Sequence, residues 1–405
     1  MLGLLGFILL AGCASAQKHH LYVGLTGGAY VHALEFDDAA RTIYEMGIIP
    51  AAGASPSLAL DNSKKFLFAS DPTSGKLTRY AVQEDYSLKN EGSAEIPASC
   101  NTTKFTSLHL SPASHNPSQI FGAASTGVCS TLFSTSVTGF HTLRSKEFAG
   151  DIRSLAWSPN GRQLHALDSR SSSSAMTSIF NFYIAEDPNL ESLNHTDTLA
   201  NVTNAEQIIA HPTGNMFYIV TKDTNELVTV PLVDAAADNA DAATAALARY
   251  KLLPSSIDAS LYTTSSLTIS SSNSFLWTLS QSGDQAIITV FSLDPATGAV
   301  ISSVVRAAWQ GLGGIGWGQL SPAPFKGSDV IAVSNSPMGM VAFLGLDQGT
   351  VPAGAQGTVQ VEADDFLIDV EMLNVQSEAA AAPKLKSFGR IDLGLDDLGQ
   401  GVWVD

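Results

Sequence analysis

The chain has 405 residues, of which 45% are hydrophobic and only 15% are charged. This composition supplies a large core and excludes disorder of the whole chain. The formal net charge is −17, from 21 Lys and Arg against 38 Asp and Glu. Nucleic acids and anionic membranes bind basic surfaces, so both are excluded as the main partner.

The N-terminal residues 1–16 predict a secretory signal peptide. An apolar run extends from Leu2 to Leu10, and Ala14-Ser15-Ala16 is a small-residue cleavage site. Because the run is too short to cross a bilayer, we expect no transmembrane anchor. The predicted location is extracellular, either secreted or in the cell wall. Leu10-Ala11-Gly12-Cys13 also resembles a bacterial lipobox, so lipidation of Cys13 stays open as an alternative.

If the protein is secreted, the remaining cysteines and three Asn-x-Thr triplets are predicted sites of covalent modification. Cys100 and Cys129 are left in the mature chain, and an oxidising compartment predicts a disulfide between them. Two buried free thiols are the alternative. Asn101, Asn194 and Asn201 begin the triplets, and they are predicted N-glycosylation sites if the host is a eukaryote.

A turn followed by a strand recurs along the whole chain. The clearest copies begin at Asp61, Ser158 and His211, and weaker ones begin at Ser111, Ser271 and Ser321. Each copy follows a short apolar strand, and Pro and Gly in the turns suit a tight reversal. The copies start roughly 45 to 60 residues apart, which is the period of propeller blades with four antiparallel strands.

The two ends of the chain supply one further blade. Residues 402–405 match the first strand of a blade, and the chain then stops; residues 21–24 match a second strand with no first strand before it. The sequence therefore predicts an all-β, seven-bladed propeller over 17–405, with Trp403 on an innermost strand beside residues 21–24. Insertions are expected near 234–260 and 345–392.

Two motifs are set aside. The glycine-rich run 311–318 lacks the strand-turn-helix context of a phosphate loop. His19 and His20 diverge on a strand, and no third ligand stands at a metal-site spacing. The sequence therefore predicts neither a metal nor a cofactor.

Three stretches of the sequence resemble the fungal 3-carboxy-cis,cis-muconate cyclase family, which belongs to the lactonase-like seven-bladed propellers. These are His19-His20-Leu21-Tyr22-Val23-Gly24, Ala210-His211-Pro212-Thr213-Gly214-Asn215 and Gly401-Val402-Trp403-Val404-Asp405. The resemblance implies metal-free ring closure of a polycarboxylate diene to a lactone. It also implies that a His, two Arg and a Glu at one channel mouth carry out this reaction.

The positions that correspond to the family's catalytic residues carry other side chains. Aligned on the blade turns, the His falls on Arg153, the first Arg on Glu206, the Glu on Lys222 and the second Arg on Gln281. Losing a general acid or base costs about two to four orders of magnitude in rate, so the departure argues against the family's reaction. Arg153, Glu206 and Lys222 form either a cluster of different specificity or a structural salt-bridge network.

The channel mouth remains the expected site, because loops from all blades converge there. The residues predicted to end the second strands are Thr26, Asp71, Thr126, Ser169, Lys222, Gln281 and Asn335. Their mixed charge, together with Arg153 and Glu206, disfavours a tricarboxylate and favours a neutral or zwitterionic ligand such as a sugar or a small lactone.

Two functions follow from these observations. The first is a secreted, monomeric glycoprotein that binds a small molecule, a glycan or, as an adhesin, a host or extracellular protein. The second is a working cycloisomerase or lactonase that acts on a related organic acid or lactone.

Overall fold

The computed structural model describes residues 17–404. The exceptions are 54, 100–104, 113–117, 127–128, 170–175, 185–191, 233–246, 311–312, 315–317, 326–328, 335–338, 348–383 and 395–396. No helix in this described part is long and apolar enough to cross a membrane.

Seven four-stranded antiparallel sheets form the blades of a propeller, as the sequence predicted. Blade 1 contains β1 (Lys18–Leu25), β2 (Tyr30–Asp37) and β3 (Thr42–Pro50), together with the last strand of the chain, β28 (Leu398–Trp403). Blades 2 to 4 contain, in chain order, β4 (Leu58–Leu60), β5 (Phe66–Asp71), β6 (Lys76–Val82) and β7 (Leu88–Glu95); β8 (Phe105–Leu110), β9 (Gln119–Ser125), β10 (Ser130–Ser136) and β11 (Thr142–Phe148); and β12 (Ile152–Trp157), β13 (Gln163–Asp168), β14 (Ser178–Tyr183) and β15 (Ser192–Thr198). Blades 5 to 7 contain β16 (Ala205–Ala210), β17 (Met216–Thr221), β18 (Glu226–Pro231) and β19 (Ala248–Lys251); β20 (Thr263–Ile269), β21 (Phe275–Gln281), β22 (Gln285–Leu293) and β23 (Val300–Gln310); and β24 (Gln319–Pro322), β25 (Ile331–Ser334), β26 (Met340–Asp347) and β27 (Lys384–Asp392). A 3-10 turn, Ala259–Leu261, precedes β20.

The chain ends close the ring as predicted. β28 pairs antiparallel with β1, so that Trp403 lies opposite Leu21 and Val402 opposite Tyr22. Beyond the strand, the Val404 N–H donates to the His20 carbonyl at 2.9 Å. The shared sheet leaves no unpaired strand between the first and last blades, which removes an edge that would otherwise invite aggregation.

The first strand of each blade lies innermost. β28, β4, β8, β12, β16, β20 and β24 contact one another in a complete ring. Ser154, Gln207 and Ser266 strengthen this ring, because each bonds the main chain of the next inner strand at 3.4, 2.8 and 3.1 Å respectively. Neighbouring blades are therefore joined by polar contacts at the axis as well as by apolar packing.

Apolar side chains fill the space between adjacent blades. Between blades 6 and 7, Trp277 and Ile288 pack with Ile331 and Ala342, all of them fully buried. Alternation along each strand sends successive side chains to opposite faces, so the middle strands contribute to the cores on both sides. Burying a large apolar side chain stabilises the fold by roughly 1.5–3 kcal/mol.

The repeated turn that revealed the fold is held by side-chain caps. Asp61 Oδ1 and Ser158 Oγ each accept from the backbone N–H five residues later, at 2.7 and 3.0 Å. At the same place in blade 5, His211 Nδ1 accepts from the Gly214 N–H at 2.8 Å. Because three different residue types cap the same turn, the repeat is recognisable from its spacing more than from its identities.

The two predicted insertions fall partly outside the described residues. Positions 233–246 and 348–383 are not described, and the parts that flank them form β18, β19, β26 and β27. The predicted extent of each insertion therefore stays a prediction.

Candidate functional site

An irregularity recurs where four consecutive inner strands begin. The pairing register of β8, β12, β16 and β20 with their second strands shifts by one residue. The extra residues are Thr106, Arg153, Glu206 and Ser265. Arg153 and Glu206 thus share one register on adjacent strands, as the alignment on blade turns required. Such β-bulges re-aim a side chain and are common beside active sites.

Arg153 forms an ion pair with Asp151, a residue that the sequence did not predict to be part of the site. Its Nη2 lies 2.7 Å from Asp151 Oδ2, and the Arg153 side chain is 26% exposed while that of Asp151 is 4% exposed. Ser125 Oγ donates to the other Asp151 oxygen at 2.7 Å, and the Asp151 N–H donates to Asp168 Oδ1 at 2.7 Å. The positive charge of Arg153 is therefore neutralised within the protein.

Glu206 and Lys222 keep their charged groups free. Both side chains are partly buried, and within the described residues neither the carboxylate nor the ammonium makes a hydrogen bond or an ion pair. The main chain at Lys222 is fixed, because its N–H donates to the Asn204 carbonyl at 2.8 Å and its carbonyl accepts from the Thr264 N–H at 3.0 Å. Among the predicted mouth residues that the structure describes, these two carry the charged groups that remain for a ligand to engage.

Asp71, the last residue of β5, serves the following turn. Its Oδ1 accepts from the Thr73 N–H at 2.9 Å and the Thr73 hydroxyl at 2.6 Å, and its Oδ2 accepts from the Ser74 hydroxyl at 2.6 Å. Burial opposes ionisation, but the hydrogen bonds from Ser74 and Thr73 outweigh it and hold the pKa of Asp71 below its ordinary value. The carboxylate therefore acts as the cap of this turn, with both of its oxygens engaged.

Gln281, the last residue of β21, joins two blades. It is fully buried, and its Oε1 accepts from the Gly318 N–H at 2.6 Å. A side chain at Gly318 would collide with the Gln281 amide, so this member of the glycine-rich run 311–318 permits the contact between blades 6 and 7. Gln281 is a structural residue at the position where the family carries an Arg.

The other predicted mouth residues differ in their access to solvent. Thr26, Thr126 and Ser169 directly follow β1, β9 and β13. Thr126 is exposed and Thr26 is partly buried, whereas Ser169 is 1% exposed. Asn335 lies outside the described residues. The rim that a ligand can reach thus includes Thr26 and Thr126 but not the Ser169 side chain.

The structure describes only some of the residues predicted to form a disulfide or to carry glycans. Cys129 precedes β10 and is disulfide-bonded, but Cys100 lies outside the described residues, so their pairing stays a prediction. Asn201 is exposed in the turn before β16 with φ of 60°. Asn101 is not described, nor is the side chain of Asn194 in β15, so glycosylation also stays a prediction.

The two adjacent histidines of β1 pack against different blades. The His19 ring stacks on Phe325 of blade 7 at 3.7 Å between centroids, and the His20 ring stacks on Tyr86 of blade 2 at 3.5 Å. They help seat the closing blade between its neighbours.

Comparison with known proteins identifies a fold. No protein-family model matches the chain, and no curated protein matches its sequence. The Pseudomonas aeruginosa periplasmic gluconolactonase PpgL is 16% identical with a TM-score of 0.68, over 96% of this chain and 99% of its own. A putative 6-phosphogluconolactonase from Bacteroides fragilis is 14% identical with a TM-score of 0.68, and the match covers 97% of this chain and 99% of the Bacteroides chain. A putative 6-phosphogluconolactonase from Bacteroides uniformis is 13% identical with a TM-score of 0.62, and the match covers 82% of this chain and 93% of the other.

These structures have the seven-bladed propeller fold that the sequence indicated, and they do not bear on the carboxymuconate cyclase family. At such identities the likeness concerns the fold alone. The chain therefore has a seven-bladed propeller fold, which it shares with these lactonase structures.

Proposed function

We propose that the protein is a secreted glycoprotein that binds a small polar ligand or a glycan at this channel mouth and does not cyclise carboxymuconate. The observation that carries the proposal is the pair Glu206 and Lys222. Both have charged groups without a partner among the described residues and a fixed main chain, and Arg153 on the adjacent inner strand is already ion-paired with Asp151. A rigid rim with unused charges is suited to binding, because the ligand meets groups that need little reordering.

The chain resembles the cyclase family in sequence, but the four positions aligned with the family's catalytic residues carry different side chains. Glu206 puts a negative charge where the family has an Arg, Asp151 neutralises Arg153, and Gln281 is committed to Gly318. Cyclisation of a tricarboxylate needs cations to hold the substrate and a proton donor at carbon. Lys222 is the one free cation among the four positions.

Export is supported by the sequence of residues 1–16 and by the Asn-x-Thr triplets. Asn201 is accessible in a turn, as a glycan acceptor must be. The similar Pseudomonas protein is itself described as periplasmic.

Calorimetric titration tests the proposal. The panel contains neutral sugars, δ-gluconolactone and carboxymuconate, and the variants are Glu206→Gln and Lys222→Met. We expect at least one neutral ligand to bind and to weaken about tenfold in either variant, the order of effect of one charged hydrogen bond. Carboxymuconate should not bind.

Matched controls come from the outer strands. Glu147 in β11 and Lys89 in β7 are exposed, so Glu147→Gln and Lys89→Met change the same charges far from the axis and should leave binding unchanged. Tight carboxymuconate binding that is lost in Arg153→Ala would overturn the proposal and restore the cyclase interpretation.

Lactone hydrolysis is the second candidate, and the free carboxylate of Glu206 favours it. An unpaired carboxylate can act as general base toward water, and Lys222 can donate to a carbonyl oxygen as negative charge develops on it. A pH-stat assay with δ-gluconolactone and related lactones decides between the candidates. Turnover that falls about 100-fold or more in Glu206→Gln would favour the enzyme.

A further inference from the structure

We infer that the ligand is a zwitterion, with its ammonium at Glu206 and its carboxylate at Lys222. This inference rests on the proposed function of the same mouth and narrows it to a chemical class. Small amino acids and amino-sugar acids are members of that class.

The inference begins with the charges at the mouth. Four predicted mouth residues are charged: Asp71, Arg153, Glu206 and Lys222. Both carboxylate oxygens of Asp71 are engaged by Thr73 and Ser74, and Arg153 is paired with Asp151. The remaining two have opposite signs. A singly charged ligand satisfies one of them and meets a like charge at the other, whereas a zwitterion satisfies both.

The strand register places the two groups within reach of one small molecule. Glu206 is the bulged residue of β16, between Ala205, which lies opposite Thr221, and Gln207. Lys222 directly follows Thr221 on the neighbouring strand. Adjacent strands are about 4.8 Å apart, and both side chains are long, so a ligand with a few bonds between its charges can span them.

The two side chains do not satisfy each other in the structure. No ion pair joins Glu206 to Lys222 within 4.0 Å among the described residues, and the main chain beneath them is fixed on both sides. Gln207 is bound to the Leu267 N–H of the next blade at 2.8 Å, and Lys222 is held through its own N–H and carbonyl. An internal pair at a partly exposed rim would in any case be weak and readily displaced.

A neighbouring carboxylate sets the expected order of affinities. Asp223 follows Lys222, and its carboxylate accepts from the Asn204 side-chain amide. It adds negative charge near the mouth, so a lone amine should be tolerated better than a lone carboxylate. The expected ranking is zwitterion first, amine second and carboxylate last.

A length series of ω-amino acids tests the inference. The mature protein is titrated calorimetrically with glycine, β-alanine, 4-aminobutyrate and 6-aminohexanoate, and with butylamine and butyrate as singly charged comparators. We expect one chain length to bind at least about tenfold more tightly than either comparator. Glu206→Gln and Lys222→Met should each weaken that binding about tenfold, and added salt should weaken it further.

The controls separate this inference from the proposed function. Glu147→Gln and Lys89→Met should bind like the wild type, and unchanged circular dichroism of the mouth variants shows that they fold. Comparators that match the best zwitterion, or mouth variants that leave its affinity unchanged, overturn the inference. If neutral sugars or lactones bind and depend on Glu206 while every zwitterion fails, the proposed function stands without it. If nothing in either panel binds, both are wrong.

Discussion

Trp403→Ala is the sharpest test of how the propeller closes. Trp403 is 7% exposed on the innermost strand of blade 1. Its ring meets Phe325 and Phe343, each at 5.5 Å between centroids, and Phe36 at 6.5 Å. Its indole N–H donates to the Ser321 carbonyl at 3.2 Å. One side chain from the C-terminal strand thus fills the space between blades 7 and 1.

The expected loss is large. Truncating a buried Trp to Ala costs about 3–5 kcal/mol in unfolding free energy, and the buried Ser321 carbonyl loses its donor in the same change. Trp403→Phe keeps most of the ring contacts and removes the hydrogen bond, which is worth about 1 kcal/mol. The two variants should therefore differ by about 3 kcal/mol. Tyr183→Ala, at a 45% exposed aromatic, is the control and should change stability by less than about 0.5 kcal/mol.

Chemical unfolding followed by far-ultraviolet circular dichroism measures these differences without relying on the removed fluorophore. Deleting residues 399–405 extends the test, because it removes most of β28 and exposes the edge of β1. We expect that truncation to lose cooperative unfolding and to become sensitive to protease. Wild-type unfolding in both Trp403→Ala and the truncation would refute closure by the C-terminal strand.

Three further predictions concern the disulfide, the glycan and the response to acid. If Cys100 and Cys129 are paired, the denatured mature protein has no free thiol without reductant, and reduction costs about 3 kcal/mol for a loop of about 30 residues; two titratable thiols would contradict the pairing. When the protein passes through a eukaryotic secretory pathway, Asn201→Gln should remove one glycan from the intact mass, and an unchanged mass would show that the site is unused. Burial lowers the pKa of His109 in β8 to about 4, below the unfolded value of about 6.5. The stability that its neutral form contributes is present above pH 6.5 and is lost as the pH falls toward 4. Unfolding measured at pH 7, 5.5 and 4.5 should show this decline, and His109→Gln should flatten it; equal slopes for both proteins would rule out His109 as the cause.

The fold could be predicted because its signal is local. The three clearest blade turns are each capped by a side chain that bonds the main chain only a few residues later, namely Asp61, Ser158 and His211. The spacing between caps then reports the blade period. The missing first strand at the N-terminus and the surplus strand at the C-terminus show which blade the ends share. No long-range information is needed for either step.

The site could be predicted only in part, because the state of a charged group depends on contacts that the repeat pattern does not reveal. Alignment of the turns placed Arg153 and Glu206 in one register, and the structure shows that both are bulged residues. The bulge has no residue signature, since it carries Arg in one blade and Glu in the next. Asp151, which neutralises Arg153, stands two residues before it, and Gly318 lies a full blade away from the Gln281 that it binds.

The distribution of free charges argues that function occupies one sector of a sevenfold scaffold. Glu206 and Lys222 both belong to blade 5, while the side chains of Asp71, Arg153 and Gln281 are each engaged by other groups of the protein. Strand geometry repeats around the axis, but among the described charged mouth residues the surplus of unpaired charge lies in blade 5. A ligand that depends on that surplus should be sensitive to changes in blade 5 and indifferent to the rim residue Thr26 of blade 1. Sites on repeat scaffolds of this kind are therefore located by finding which equivalent side chains remain unused, since equivalence of position alone does not distinguish a binding residue from a turn cap.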